Sequence, residues 1–162
     1  MSGSGGEAFG AGEGARGGVP PGWVLALRHR VRWSECDPYG HANHRAYFEW
    51  FEDARNRYLE AIGLGELRPD RPGPVLAETN IRYRRPLAYG DRVLVTARTV
   101  RLGHTSLEME YAAWHDGLVA EGRAVLVLLV NSTGIKVPIW PELRASIREC
   151  EMTAGRIPTE RS

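Results

Sequence analysis

Four side chains that can act as nucleophiles, bases or metal ligands lie close together in this sequence. They are Cys36, Asp37, His41 and His44, within the stretch CDPYGHANH. A carboxylate or an imidazole can serve as a general base, and a carboxylate or a thiolate can attack a carbonyl carbon. The stretch therefore points to acyl transfer, a metal site or an ordinary polar turn, and the elements around it must decide among them.

The residues that follow predict a long amphipathic helix from His44 to Ile62. Asn43 is a residue type that caps helix starts, and Gly63 suits the left-handed position just after a helix end. The apolar positions recur at steps of three and four, which places them on one face. They are Tyr47, Trp50, Phe51, Ala54, Tyr58 and Ile62.

The start of this helix can stabilise negative charge. Backbone N–H groups in the first turn have no intrahelical partner, and the helix dipole attracts anions. Pro38 and Gly40 favour a tight turn, which we expect to fold Asp37 back toward the amides of Asn43 and His44. Those amides would polarise a carbonyl group, and the carboxylate would attack it directly or activate a water molecule.

Other interpretations of the same stretch stay open. Asp37 before a proline could be an ordinary turn residue, and Cys36 could be a nucleophile or a small buried side chain. His41 and His44 could bind a metal ion with them, but no second Cys or His cluster completes a four-ligand set, so we expect no metal. The sequence has no Gly-x-Ser-x-Gly motif of the serine hydrolases.

The remaining segments alternate between apolar and polar residues, which predicts strands, except that residues 124–130 are apolar throughout, as in a strand covered on both faces. The strands are expected in residues 24–33, 75–86, 91–102, 105–114 and, after an Asp-Gly turn, 118–130. The expected apolar face of the first strand holds Leu25, Leu27, Val31 and Trp33, with His29 in the same register as a packed histidine. A short helix is expected in residues 140–150.

This order of elements favours an α+β fold in which an antiparallel five-stranded sheet wraps around one long central helix. The sheet has open edges, so we expect an edge-to-edge dimer. Residues 1–22 are rich in glycine and poor in apolar side chains, which predicts a disordered tail. The domain is expected to span residues 23–150, and residues 151–162 are expected to be loose.

The composition limits the possible functions. The chain has 162 residues, 43% of them hydrophobic, and a formal net charge of +1. Because there is neither a strong basic excess nor a long apolar segment, we expect no nucleic-acid partner and no membrane association. The two cysteines, Cys36 and Cys150, do not make a disulfide framework, and no signal-peptide pattern is present, so a cytoplasmic location is expected.

The stretch RVRWSECDPYGHANHRAYFEWFEDARNRYL resembles the signature of the 4-hydroxybenzoyl-CoA thioesterase family. The resemblance implies a hotdog fold, a homodimer or homotetramer, and hydrolysis of acyl-CoA, aroyl-CoA or acyl carrier protein thioesters. It implies no cofactor beyond the coenzyme A of the substrate. The essential carboxylate of the family aligns with Asp37. His44 aligns with the residue that gives a backbone N–H to the thioester oxygen, and one branch of the family has a functional histidine there.

Seven residues are candidates for contact with the substrate. Aromatic side chains near the helix start could line an acyl or aryl pocket, and guanidinium groups suit the phosphates of coenzyme A. A polar turn between two strands is similar to a Gly-Thr-Ser element of some relatives. These candidates are Tyr39, Tyr47, Trp50, Arg84, Arg85, His104 and Thr105.

Two other functions fit the same sequence. A hydratase or dehydratase of the same fold would pair Asp37 with His41 or His44. A non-catalytic acyl-binding protein would keep the fold without needing Asp37. Release of a thiol separates the first from a hydrolase, and turnover itself separates the second.

Overall fold

The computed structural model describes residues 21–66 and 68–160. The predicted disordered tail therefore lies, except for its last two residues, outside the described residues. Within them the chain forms two helices, α1 (His44–Ala61) and α2 (Pro141–Met152), and seven strands. The strands are β1 (Leu25–Arg30), β2 (Pro72–Tyr83), β3 (Arg92–Leu102), β4 (Ser106–Trp114), β5 (Leu118–Val130), β6 (Ile135–Lys136) and β7 (Thr159–Glu160).

The five long strands form one antiparallel sheet in the order β1-β3-β4-β5-β2. The two short strands are additions, because β6 pairs with β5 and β7 pairs in parallel with β3. The α+β class, the five main strands and the single long helix are therefore as predicted. The described residues also include the short helix α2 near the end of the chain.

Helix α1 begins and ends on the local signals that its sequence carries. The side chain of Asn43 accepts a hydrogen bond from the Arg45 amide, which satisfies one N–H of the first turn. After the helix, Gly63 takes a positive φ of 90°, and the Leu64 amide donates to the Leu59 carbonyl at 2.8 Å. Both predicted ends are confirmed to within one residue.

The apolar face of α1 packs against the sheet and forms the core. Phe51 stacks on Tyr111 of β4 with ring centroids 5.2 Å apart. Gly122 of β5 makes room for this contact, because a Cβ atom there would meet the Phe51 ring at 2.9 Å and the Asn80 carbonyl oxygen at 2.8 Å. The other buried residues of α1 are Ala46, Tyr47, Trp50, Ala54, Tyr58 and Leu59.

Trp33 does not lie on the apolar face of the first strand as predicted. Strand β1 ends at Arg30, and Trp33 begins a short 3₁₀ turn, Trp33–Glu35. Its side chain is 76% exposed and makes an edge-to-face contact with Tyr89. The alternation of apolar and polar residues extends to Trp33, but it no longer sorts side chains between two faces beyond Arg30, where the pairing of β1 ends.

The C-terminal residues 151–160, predicted to be a loose tail, include the end of a helix and a short strand. Helix α2 continues to Met152, and Thr159 of β7 pairs with Arg101 of β3. Glu151 is fully buried, where it accepts hydrogen bonds from the Tyr58 hydroxyl and the Thr99 amide. These contacts hold the end of the chain on the sheet and on α1.

Strand β2 forms one edge of the sheet, and most of its twelve residues are exposed or half-buried. A long edge strand with unpaired backbone groups is a template for pairing with another strand. Edge-to-edge dimerisation stays a prediction. Neither helix in the described residues is long and apolar enough to cross a membrane.

Candidate active site

The polar stretch before α1 folds into a short hairpin, residues 35–43, which we call the Asp37 hairpin. Its two sides are joined by hydrogen bonds from the Asp37 amide to the His41 carbonyl at 2.8 Å and from the Asn43 amide to the Glu35 carbonyl at 2.7 Å. Gly40 forms the turn with a positive φ of 79°, as the predicted tight turn requires. The second side of the hairpin continues directly into α1.

The carboxylate of Asp37 is held by its own hairpin. Its Oδ1 atom accepts hydrogen bonds from the Tyr39 amide at 2.9 Å and the His41 amide at 3.2 Å. Within the described part of the chain, Oδ2 makes no hydrogen bond, and the residue is half-buried. One oxygen therefore fixes the orientation of the carboxylate while the other can meet a substrate or a water molecule.

The amide of Asn43 cannot serve the role that the sequence suggested for it. That amide already donates to the Glu35 carbonyl, and the Asn43 side chain caps the Arg45 amide. The amide of His44, the first residue of α1, makes no hydrogen bond to any other described residue. His44 is exposed, so its backbone N–H and its imidazole both remain available at the helix start.

The hairpin is attached to the segment that follows β2. The Ala42 amide donates to the Leu87 carbonyl at 2.7 Å, and His41 forms an isolated bridge with Ala88. The same segment turns back into β3 at Gly90, whose amide donates to the Val31 carbonyl at 2.9 Å. Asp37 therefore lies at the end of the sheet where β2 finishes and β3 begins.

The aromatic candidates do not form one pocket within a single chain. Tyr47 and Trp50 are buried in the core, with ring centroids 4.8 Å apart, and Tyr47 also contacts Tyr83. Burial, with a smaller contribution from Tyr83 and Asp91, raises the pKa of Tyr47 to about 12. Tyr39 is 86% exposed at the tip of the hairpin.

Arg84 and Arg85 lie just beyond β2, and the protein already uses both side chains. Arg84 forms an ion pair with Glu121. Arg85 donates to the carbonyls of His115 at 2.5 Å and Asp116 at 3.1 Å, which fixes the turn between β4 and β5. Because carbonyl groups do not neutralise a guanidinium charge, Arg85 is the stronger of the two candidates for an anionic ligand.

His104 and Thr105 lie at the other end of the sheet, in the turn between β3 and β4. In one protomer they are separated from Asp37 by the length of these strands, because the Asp37 hairpin contacts the start of β3 and the turn follows its end. One chain therefore does not bring all the predicted substrate contacts together.

A large groove beside α1 is not centred on Asp37. It has a volume of about 1020 Å³ and runs between β1 and the polar side of α1. Trp50 is the one predicted substrate contact that lines it, and neither Asp37 nor His44 does. Among the residues described, no three His, Cys, Asp or Glu side chains are placed to hold a metal ion.

Sequence reasoning missed the importance of Glu35 and His29. Glu35 is only 7% exposed, and its carboxylate accepts hydrogen bonds from the His29 ring at 2.9 Å, the Arg32 amide at 2.7 Å and the Trp50 indole at 3.0 Å. His29 was interpreted as a packed histidine, and its ring does contact Trp50. The sequence offered one sign of this contact: Glu35 follows His29 by six positions, and His29 is on the apolar face of the first strand.

A five-stranded antiparallel sheet wrapped around one long helix is the architecture of the hotdog class of proteins. The family model of the thioesterase-like superfamily matches residues 31–147, so this chain belongs to that superfamily. It is a thioester hydrolase by this membership. The narrower 4-hydroxybenzoyl-CoA thioesterase family stays a prediction.

Known proteins similar to this chain agree with the family. A solved thioesterase superfamily protein from Jannaschia sp. CCS1 is 31% identical, with a TM-score of 0.83 over 90% of this chain and 94% of that one. A thioesterase from Thermus thermophilus, solved with coenzyme A and zinc, is 35% identical, with a TM-score of 0.73 over 83% of this chain and 97% of that one. The 1,4-dihydroxy-2-naphthoyl-CoA hydrolase of Prochlorococcus marinus (strain MIT 9303) is 25% identical over 124 residues, which cover 70% of this chain and 81% of the relative.

Proposed function

We propose that this protein hydrolyses acyl- or aroyl-CoA thioesters with Asp37 as its catalytic carboxylate and the His44 amide as an oxyanion donor. One observation carries the proposal. The carboxylate is oriented through Oδ1 on a hairpin that leads without interruption into the first turn of α1, where the His44 amide is unpaired among the described residues. Asp37, the proposed nucleophile or base, is therefore only seven positions before His44, whose amide would stabilise the negative charge.

In this mechanism the thioester oxygen points toward the start of α1, and negative charge develops on it as the carbonyl carbon is attacked. Asp37 either attacks the carbon, which gives a mixed anhydride and releases the coenzyme A thiolate, or removes a proton from an attacking water molecule. Water then completes hydrolysis of the anhydride in the first route. Both routes yield a carboxylic acid and a free thiol, and the His44 imidazole can assist either of them from the same helix start.

We further propose that the functional unit is a homodimer, or a homotetramer built from such dimers, with strands β2 paired edge to edge. Antiparallel pairing of two β2 strands would reverse the second sheet relative to the first. The partner's turn between β3 and β4 would then lie toward the same end as Asp37 of the first protomer. Exposed apolar side chains on β2, including Leu76 and Tyr83, support burial of this edge.

The relatives and the charges around the site support the proposed substrate class. Relatives include a thioesterase solved with coenzyme A and a hydrolase of an aromatic CoA thioester. Arg85 offers a positive charge near the end of the sheet that carries Asp37. Carrier-protein thioesters share the same reacting group and are included in the test. The free thiols of Cys36 and Cys150 fit the cytoplasmic location that we propose.

The decisive experiment measures thiol release with a disulfide-exchange dye on benzoyl, phenylacetyl, short-chain and long-chain acyl-CoAs and on a carrier-protein thioester. We expect Asp37→Asn to lower kcat by a factor on the order of 10² to 10⁴ while the circular dichroism spectrum is unchanged. Asp70→Asn is the matched control, because Asp70 is exposed and paired with Arg68 far along the chain from the hairpin.

The other outcomes identify the alternatives. Full activity of Asp37→Asn would reject the assigned role of this carboxylate. Hydration or dehydration of an acyl-CoA without thiol release would indicate a hydratase. Binding without any turnover would indicate an acyl-binding protein.

A further inference from the structure

We propose that Glu35 is a positioning residue for thioester hydrolysis, which holds the Asp37 hairpin in register with the start of α1. The inference rests on the proposed role of Asp37. It adds a residue that does not touch the substrate and acts through the geometry of two groups that do.

Glu35 joins three parts of the molecule at one carboxylate. Its Oε2 atom accepts hydrogen bonds from the His29 ring on β1 and from the Arg32 amide, and its Oε1 atom accepts from the indole of Trp50 on α1. Both oxygens are therefore used, and the side chain is almost fully buried. A buried carboxylate with this many donors has essentially one orientation, since any rotation breaks at least one bond.

The backbone of the same residue closes the hairpin. The Glu35 carbonyl accepts the Asn43 amide at 2.7 Å, one residue before α1 begins. Glu35 is also two positions before Asp37 along the chain. A shift of Glu35 therefore moves the catalytic carboxylate and the His44 amide relative to each other.

The charge state of Glu35 agrees with this arrangement. Burial acts to raise the pKa of its carboxyl group, but the hydrogen bonds from the Arg32 amide, Trp50 and His29, with the charge of His29, outweigh burial and leave the pKa below its ordinary value. The carboxylate is consequently ionised at neutral pH and accepts three donors. A glutamine side chain of the same size has one acceptor oxygen and an NH₂ donor, so it cannot accept all three.

The chain provides a matched control in Glu151. This residue is also buried, and it also accepts hydrogen bonds from an aromatic side chain of α1 and from a backbone amide. It lies in α2, however, and touches neither the Asp37 hairpin nor the start of α1. The same substitution at Glu151 therefore perturbs a buried carboxylate without moving the proposed catalytic groups.

The test compares Glu35→Gln with Glu151→Gln in the full chain, using the best CoA thioester of the substrate panel. For Glu35→Gln we expect kcat per folded molecule to fall tenfold to a hundredfold while KM changes less than threefold, because misplacement affects the transition state more than binding. For Glu151→Gln we expect kcat within twofold of the wild type. Circular dichroism measures the folded fraction of each variant.

A double-mutant cycle with Asp37→Asn separates positioning from simple support of the fold. When the carboxylate that Glu35 orients is already gone, Glu35→Gln should lower the residual kcat by a clearly smaller factor. If the factor is the same in both backgrounds, or if kcat per folded molecule is unchanged by Glu35→Gln, the positioning role is wrong.

A milder variant covers the case in which Glu35→Gln does not fold. His29→Asn removes one of the three donors to Glu35, and a threefold to tenfold loss of kcat is expected, whereas an unchanged kcat would contradict the proposal. The same variants also separate the proposed function from the role of Glu35. Full activity of Asp37→Asn rejects the proposed function, while an inactive Asp37→Asn together with a fully active Glu35→Gln rejects only the role of Glu35.

Discussion

Two buried glutamates hold opposite ends of α1, and their surroundings differ in hydrogen bonding and in depth of burial. Glu35 accepts one hydrogen bond from Trp50 in the first half of the helix, and Glu151 accepts one from Tyr58 near its end. Each also accepts a backbone amide, from Arg32 and Thr99. Only Glu35 has donors on both oxygens, because Oε2 of Glu151 has no hydrogen-bond partner in the described part of the chain.

These differences accompany pKa shifts in opposite directions. The pKa of Glu35 is lowered because its hydrogen bonds outweigh burial, whereas the pKa of Glu151 is raised because burial outweighs its bonds to Thr99 and Tyr58 and the charges of Arg156 and Arg98. Burial and the adjacent Glu151 also raise the pKa of Tyr58, which donates the hydrogen bond between them. The direction of each pKa shift therefore depends on the balance between the depth of burial and the donors that reach the carboxyl group.

The largest expected effect is the loss of stability on replacing Glu35 by leucine. Three donors would lose their acceptor, and the unpaired buried groups should lower the unfolding free energy by about 4 kcal/mol. Glu151→Leu leaves two donors unpaired but also removes a poorly solvated carboxyl group, so we expect about 2 kcal/mol. Chemical denaturation measures both, and an equal or larger loss at Glu151 would contradict the comparison.

The next prediction is that the stability contributed by the two glutamates changes with pH in opposite directions. The lowered pKa of Glu35 means that its contribution to stability is present above the ordinary value of 4.5 and is lost as the pH falls through the folded-state pKa. The raised pKa of Glu151 means that its contribution is present below 4.5 and is lost as the pH rises through the folded-state pKa.

Denaturation of the wild type, Glu35→Gln and Glu151→Gln across a pH series measures these contributions. The difference in unfolding free energy between the wild type and each variant should change with opposite slopes, with about 1.4 kcal/mol for each unit of pKa shift. Slopes of the same sign would show that the two carboxyl groups do not differ as described.

The smallest effect is expected from Tyr58→Phe. The substitution removes one hydrogen bond to Glu151 at 2.7 Å and keeps the ring in the core, so the unfolding free energy should fall by about 1 kcal/mol. Turnover should stay within twofold, because Tyr58 is distant from the hairpin along α1. A large loss of kcat would mean that the end of α1 is coupled to the active site. The hydrogen bonds of Glu35 and of Glu151 would then both affect catalysis, and the two ends of the helix would not differ in function.

Features that depend on neighbours in sequence could be predicted without coordinates. The limits of α1 follow from Asn43, Gly63 and a helical apolar period, all of which act within a few residues. The turn at Gly40 and the strict alternation in β4 are equally local. The Asp37 hairpin could be predicted for the same reason.

Features that depend on residues distant in sequence were missed. Glu151 looked like a solvated residue of a terminal segment, but its donors Tyr58 and Thr99 come from 93 and 52 positions away. The Asn43 amide looked available until folding brought the Glu35 carbonyl against it. Trp33 continued an apolar pattern beyond the last paired residue of β1.

The sequence by itself determined the helix, the turn and the identity of the carboxylate placed before them, because capping, periodicity and glycine conformation act over a few bonds. Only the tertiary structure decided which amide at the helix start is free and in which direction the pKa of each buried carboxyl group is shifted. Those outcomes depend on the donors and acceptors that folding brings together and on the water that it removes, and neither quantity is a property of a short segment.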